Sequence, residues 1–189
     1  KKASVRSNHV LIDIPIGKST KINNLKEANH LKRKFEQLGK KLGMKIKIIL
    51  TDGSQPIGNG IGPNLEARDI LYILKRDLKA PKDLEEKSIF MASLLMGMAG
   101  IKNAEVKARE ILESGKAYKK MKEIIKEQYG NPNISPEDIK VGNFKYDYKS
   151  YKHGKIKSID NELISKIARA AGAPINKSSG IYLHYHVKD

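Results

Sequence analysis

Two carboxylates and one glycine-rich loop are the residues whose types and spacing can do chemistry in this 189-residue chain. Asp13 sits in one β-branched run and Asp52 ends the leader of a second, Ile46-Lys47-Ile48-Ile49. By position alone either can serve as a general acid. From Asp52 to Asp69 the chain carries Gly53, Gly58, Gly60 and Gly62, then Pro63 and Asn64 open an apolar helix running from Leu65 to Leu74. Proline in the first turn is a helix-start signal. Strand, glycine loop, helix is the layout that presents backbone groups at the carboxyl end of a sheet, where α/β proteins bind ligands. The spacing matches neither GxGxxG nor GxxxxGK[ST]. Glycines also serve plain tight turns, so both readings stand at this point. His184 and His186 are spaced i, i+2 on an expected strand Ile181 to Val187 and share one face. Such a pair can chelate, but no carboxylate or cysteine completes a set nearby, and an exposed strand face explains it better. His9 and His30 have no evident partner.

The elements that must position these residues follow from periodicity. Residues 8–16 and 45–50 read as two strands around a helix over 24–42, a βαβ unit whose strands are parallel. Leu25, Ala28, Leu31, Phe35, Leu38 and Leu42 fall at helical spacing, leaving Lys26, Lys32, Arg33, Lys34, Lys40 and Lys41 as the solvated side. If residues 17–21 form an ordinary βα turn, Thr20 caps that helix. Leu84 to Ala99 is apolar nearly all round and predicts a buried helix, with its methionines as core filler. Asn103 is expected to cap a helix ending at Ser114, which Gly115 stops. A further helix over 116–129 closes at Gly130 and Pro132. Beyond the turn-rich Asn131 to Pro136 the style changes to short β runs around one helix, capped by Asp160 and ended by Gly172. These signals predict an α/β protein, a parallel sheet layered with helices over residues 1–139, followed by a small α+β domain over 140–189.

Composition sets outer bounds. With no cysteine there is no disulfide, thiolate metal site or cysteine nucleophile. No signal-peptide pattern is evident, and the most apolar run, Ile89 to Ile101, is shorter than the ~20 residues a bilayer crossing needs. A cytoplasmic location is the expectation. The net charge of +16 is densest in the first quarter and invites a nucleic-acid reading. Against it, most lysines lie along helix surfaces, without arginine–aromatic interleaving, zinc-finger spacing or an RNP-like stretch.

The residues themselves carry a resemblance. Thr51-Asp52-Gly53-Ser54-Gln55-Pro56-Ile57-Gly58, continuing to Leu65-Glu66, resembles the signature region of the thymidine and pyrimidine-nucleoside phosphorylase family, and within it the archaeal AMP-phosphorolysing branch. Lys1-Lys2-Ala3-Ser4, with Asn8-His9-Val10-Leu11-Ile12-Asp13-Ile14-Pro15-Ile16-Gly17, resembles the segment in which a Ser-Lys-Lys run precedes a core strand and a glycine turn. Gly154 to Asp189, with Ala170-Ala171-Gly172-Ala173 and Ser179-Gly180-Ile181-Tyr182-Leu183-His184, resembles the start of the family's C-terminal domain. Family members are more than twice as long, so the resemblance implies a fragment whose phosphate loop and proton donor lie upstream.

What the resemblance implies for function is specific. Inorganic phosphate attacks the anomeric carbon of AMP, or of another nucleoside 5′-monophosphate, releasing the free base and ribose 1,5-bisphosphate. Pyrimidine nucleoside phosphorolysis is the nearest alternative, and a basic nucleic-acid-binding module the alternative of another class. Lys1 and Lys2 match the lysine that contacts the base, with Lys1 ahead, and a cationic donor there stabilises charge that develops as the glycosidic bond breaks. Gly17-Lys18-Ser19-Thr20-Lys21 matches a loop wrapped over the base, or else is an ordinary βα turn. Ile57 and Gly60, by backbone carbonyl, and Asp69, by carboxylate, match positions that hold potassium, although the family carboxylate is usually the longer glutamate. Oxygen ligands suit a hard cation. No catalytic residue is assigned within the 189 residues, Asp13 and Asp52 being read as structural. No resident cofactor is implied beyond phosphate as co-substrate and potassium. The partners implied are small molecules and further copies of the enzyme, with no membrane and no nucleic acid.

Overall fold

A computed structural model describes residues 2–186. They pack as two compact units, one built from the chain through Ser54 together with Lys87–Arg109, the other from Gln55–Glu86 and Glu110 onward.

In the first unit β1 (His9–Ile16) and β2 (Lys45–Asp52) are parallel, in a register that runs from His9 opposite Lys45 to Ile16 opposite Asp52. Both carboxyl ends therefore finish together. Helix α1 (Leu25–Lys41) connects them and covers one sheet face. Its core joins Ile14, Ala28 and Ile48, ringed by Ile12, Ile16, Ile22, Leu31, Phe35, Ile46 and Leu50. Even-numbered strand residues thus face the helix and odd-numbered ones, Asp13 and Thr51 among them, face away. Gly39 lets the helix approach closely, because a Cβ there would sit 2.7 Å from the Ile46 side chain.

Three expectations change here. The apolar stripe of α1 is only partly covered: Ala28, Leu31 and Phe35 pack against the sheet, while Leu25, Leu38 and Leu42 stay largely exposed. Leu25 opens the helix and Leu38 and Leu42 stand in and just after its last turn, so the sheet covers the middle of the stripe and leaves its ends to solvent. The N-cap is Asn24, whose Oδ1 accepts from Glu27 N–H at 2.9 Å, and not Thr20, which lies four residues too early. Replacing Asn24 by alanine should cost about 1 kcal/mol in urea unfolding, and by aspartate almost nothing. Helix α3 (Lys82–Met98) forms as expected but is not buried all round: Ile89 is enclosed, whereas Phe90 is 47% and Leu95 40% exposed. A helix apolar on every side needs neighbours on every side, and the described residues do not supply them.

In the second unit β3 (Gly60–Ile61) pairs antiparallel with β4 (Ile181–Tyr182), Gly60 opposite Tyr182. Helix α2 (Pro63–Leu74) starts at its proline and buries Leu65, Asp69, Leu71, Tyr72 and Ile73. Glu66 closes its first turn by accepting from Gly62 N–H at 3.0 Å. Helices α5 (Lys116–Glu127) and α6 (Asn161–Ala170), and α4 (Ala104–Glu113), which begins in the first unit and ends in the second, fall where periodicity places them. Asp160 caps α6 through Glu162 and Leu163 N–H groups, as expected. Asn103 does not cap α4 with its side chain; it takes the left-handed conformation (φ +50°), whereas a capping residue is extended. The expected strand Ile181 to Val187 is only two residues long up to His186, and Val187 lies outside the described residues. Among the described residues no helix is long and apolar enough to cross a membrane.

Candidate functional site

Two small constellations stand out, one in each unit. The first lies at the carboxyl ends of β1 and β2. There Gly17 to Lys21 turns tightly: Thr20 N–H donates to Gly17 O at 3.1 Å and Gly17 N–H to Ile22 O at 3.2 Å. The Thr20 hydroxyl reaches Gly17 O (2.9 Å) and Ile22 O (2.7 Å), so it shapes the loop from within. Lys18 and Ser19 are exposed at its tip. The loop rests on Gly53, the residue after β2, whose N–H donates to Ile16 O at 2.8 Å. A Cβ on Gly17 would meet Gly53 backbone at 2.8 Å, and one on Gly53 would meet Thr20 at 2.6 Å. Glycine at both places is thus required by close approach, not by φ.

Beneath this loop, on the sheet face away from α1, lies a polar cluster that no sequence pattern announces. Asp13 Oδ1 accepts from the Thr51 hydroxyl at 2.6 Å, and Asp13 Oδ2 pairs with Lys87 Nζ at 2.7 Å. Lys87 also donates to Thr51 Oγ1 at 3.3 Å. Asp13 is thus held by a partner that is invisible to spacing, because Lys87 lies on α3. Asp52 is held within its own turn: its Oδ1 accepts from Ser54 N–H at 2.8 Å, and the Ser54 hydrogen bonds hold its carboxyl below the ordinary carboxylate range. Of the base-contacting candidates, Lys2 is exposed and precedes a short 3-10 turn, Ala3–Val5, and Lys1 lies outside the described residues.

The second constellation is the glycine loop itself. Asp69 on α2 is 1% exposed, and its Oδ2 accepts from both Asn59 and Gly60 N–H groups at 2.7 Å. Asp83 Oδ2 accepts from Gly58 N–H at 3.1 Å. The structure thus brings Gly60 and Asp69 together, but through an N–H and not through a carbonyl. Ile57 stands partly exposed three residues earlier. Asp69 Oδ1 is buried with no hydrogen-bond partner among the described residues. Burial pushes the Asp69 carboxyl above its ordinary value, against the pull of the Gly60 and Asn59 N–H groups and of Arg68. A buried carboxylate oxygen with nothing to bond is what a hard cation would occupy, so these residues fit potassium on that count.

Next to it Asn59 is tied to the C-terminal stretch. Its Nδ2 donates to Tyr182 Oη at 3.3 Å, its O accepts from Leu183 N–H at 2.8 Å, and its Oδ1 lies 2.8 Å from His186 Nε2. His184 packs edge-on against Tyr182, 5.0 Å between rings, and the Arg68 guanidinium lies 5.3 Å from the same ring. His184 and His186 thus have separate partners and do not share a strand face. His9 is also not alone: its Nδ1 lies 2.9 Å from Asn8 Oδ1. Although arginine and aromatic residues do not interleave, lysines and aromatics do in Phe144-Lys145-Tyr146-Asp147-Tyr148-Lys149-Ser150-Tyr151-Lys152, whose aromatics are 80–99% exposed.

No family model matches the chain. Individual proteins do. It is 46% identical over 192 residues to a protein of Pyrococcus furiosus named AMP phosphorylase, covering 100% of this chain and 38% of that relative. The identity is 48% over 190 residues, 99% of this chain, to the AMP phosphorylase of Pyrococcus horikoshii. With AMP phosphorylase 1 of Archaeoglobus fulgidus it is 42% over 185 residues, 97% of this chain and 36% of the relative. The chain thus spans a little over a third of the length of these curated relatives. Across nearly all of its own length it matches one segment of the archaeal AMP phosphorylases.

Proposed function

We propose that this chain is a part of an AMP phosphorylase, in which inorganic phosphate displaces adenine from AMP and ribose 1,5-bisphosphate is formed. The observation that carries the reading is the match across 97–100% of the chain to proteins bearing that name. The geometry supports it: a solvent-exposed loop at the shared carboxyl ends of two parallel strands is where an α/β protein takes its ligand. On this reading phosphate is the nucleophile and no covalent enzyme intermediate forms. The protein aligns two anions and stabilises an oxocarbenium-like transition state. Lys1 or Lys2 donates to the departing base, and Lys18, Ser19 and Thr20 close over it. Thr20 acts through the loop, since its hydroxyl is held by Gly17 and Ile22. The residues that would hold potassium are Ile57, Gly60 and Asp69, and a bound cation there would neutralise the buried carboxylate; the support is the orphaned Asp69 Oδ1. The enzyme is a homo-oligomer of the cytoplasm, residues 1–139 belong to its α/β domain and 140–189 open its C-terminal domain.

Assay of the complete reading frame that contains this chain decides the matter. Adenine release from AMP, dependent on phosphate and followed by chromatography, is the expected result; its absence overturns the reading. Lys1→Ala should lower phosphorolysis by at least ~10²-fold, the size associated with loss of one transition-state donor. The exposed lysine–aromatic run favours a second reading, a nucleic-acid-binding module. That reading requires tight binding of single-stranded RNA that falls steeply with salt, about one log–log unit per phosphate neutralised.

A further inference from the structure

We infer that Lys87 is a positioning residue for the loop Gly17 to Lys21, acting through Asp13 and Thr51. The inference rests on the reading of that loop as a nucleotide contact, and extends it to a residue seventy positions away in sequence. The chain of contacts is short. Lys87 Nζ pairs with Asp13 Oδ2 at 2.7 Å, Asp13 Oδ1 accepts from the Thr51 hydroxyl at 2.6 Å, and Lys87 reaches Thr51 Oγ1 directly at 3.3 Å. Asp13 is on β1 and Thr51 on β2, two residues off direct register, so the ammonium group clasps both strands from α3. Two residues beyond Thr51 comes Gly53, on which the loop sits with no room for a Cβ on either side. Wherever Thr51 settles, the seat of Gly17 and Thr20 settles with it. Lys87 and Asp13 are both largely shielded, and an ion pair that also carries hydrogen bonds holds a definite geometry. Nothing in the core of α1 needs this cluster, because Asp13 and Thr51 face away from Ile14, Ala28 and Ile48.

Amide hydrogen exchange on Lys87→Met, Lys87→Arg and Thr51→Val tests it. In Lys87→Met the Gly17, Thr20 and Gly53 amides should exchange at least ~10-fold faster, with Ala28 protection unchanged, as local opening below the global stability would show. Lys87→Arg should restore protection, and Thr51→Val should give the same loosening in smaller measure. Unchanged exchange at all three amides in Lys87→Met overturns the inference. So does parallel loss of protection at Ala28, which would make Lys87 a strut of the whole unit. An unchanged loop in Thr51→Val overturns the relay. AMP titration of the complete protein separates the two levels: a loosened loop with weaker AMP binding fits both. A loosened loop with unaltered AMP affinity leaves the positioning role intact and removes the nucleotide reading of the loop.

Discussion

Asp69→Ala should lower stability by about 3 kcal/mol, because it strips two buried backbone N–H groups of their acceptor at once. Asn59 and Gly60 both donate to the same oxygen, Asp69 Oδ2, at 2.7 Å, on a side chain that is 1% exposed. Asp69→Asn keeps an oxygen acceptor and should cost far less. The two variants also separate on pH. Burial raises the Asp69 carboxyl above its unfolded-state value, so the folded chain holds its proton to higher pH than the unfolded chain does. The stabilisation is therefore full below the ordinary carboxylate range and is lost as pH rises through the raised value. Urea midpoints of the native chain should fall over that window relative to Asp69→Asn. Exchange protection at Asn59 and Gly60 localises the effect. If potassium sits against Oδ1, replacing choline chloride by potassium chloride should raise the native midpoint and leave that of Asp69→Asn unmoved; equal response of both excludes the cation at this carboxylate.

Gly180→Ala should be comparably severe, at about 3 kcal/mol or more, as overpacking against backbone generally is. A Cβ at Gly180 would lie 2.2 Å from Ile61 O and 2.9 Å from Leu65 Cδ1, and the first of these is a strand backbone that cannot swing aside. Relief requires moving β4 off β3, which would break Leu183 N–H to Asn59 O and Asn64 N–H to Lys177 O. Gly43→Ala is the contrast. Gly43 has φ +64° and nothing within 4 Å of an added Cβ, so only the left-handed conformation is penalised, by about 1 kcal/mol. Circular dichroism in urea should show the larger loss at Gly180; equal losses would mean that β3 and β4 are not packed as described.

The first unit was legible in the chain because its signals are local and agree with one another. The β-branched runs ending at Ile16 and Asp52, the 3.6-residue stripe from Leu25 to Leu42 and the glycines that follow each strand all specify one parallel pair under one helix. The helix starts at Pro63 and Asp160 were equally plain, since proline at the first position and aspartate at the cap act through their immediate neighbours. The motif Thr51 to Gly58 carries its resemblance to the phosphorylases as one contiguous run of residues, which is read without any tertiary contact.

Tertiary structure alone decided the partners. Nothing in the spacing links Lys87 to Asp13, His186 to Asn59 or Gly180 to Ile61, because each pair meets only when distant elements pack. The buried Oδ1 of Asp69 is of the same kind: sequence names the carboxylate, and only packing shows that one oxygen holds two N–H groups and the other none. Periodicity likewise measures which side of α3 is apolar but not how much of it is covered, and coverage depends on how many neighbours the fold brings, hence the exposure of Phe90 and Leu95. Local chemistry determines where a strand, a cap or a turn falls; long-range contacts, which carry no signal in spacing, determine what each polar side chain bonds to and therefore what it can do.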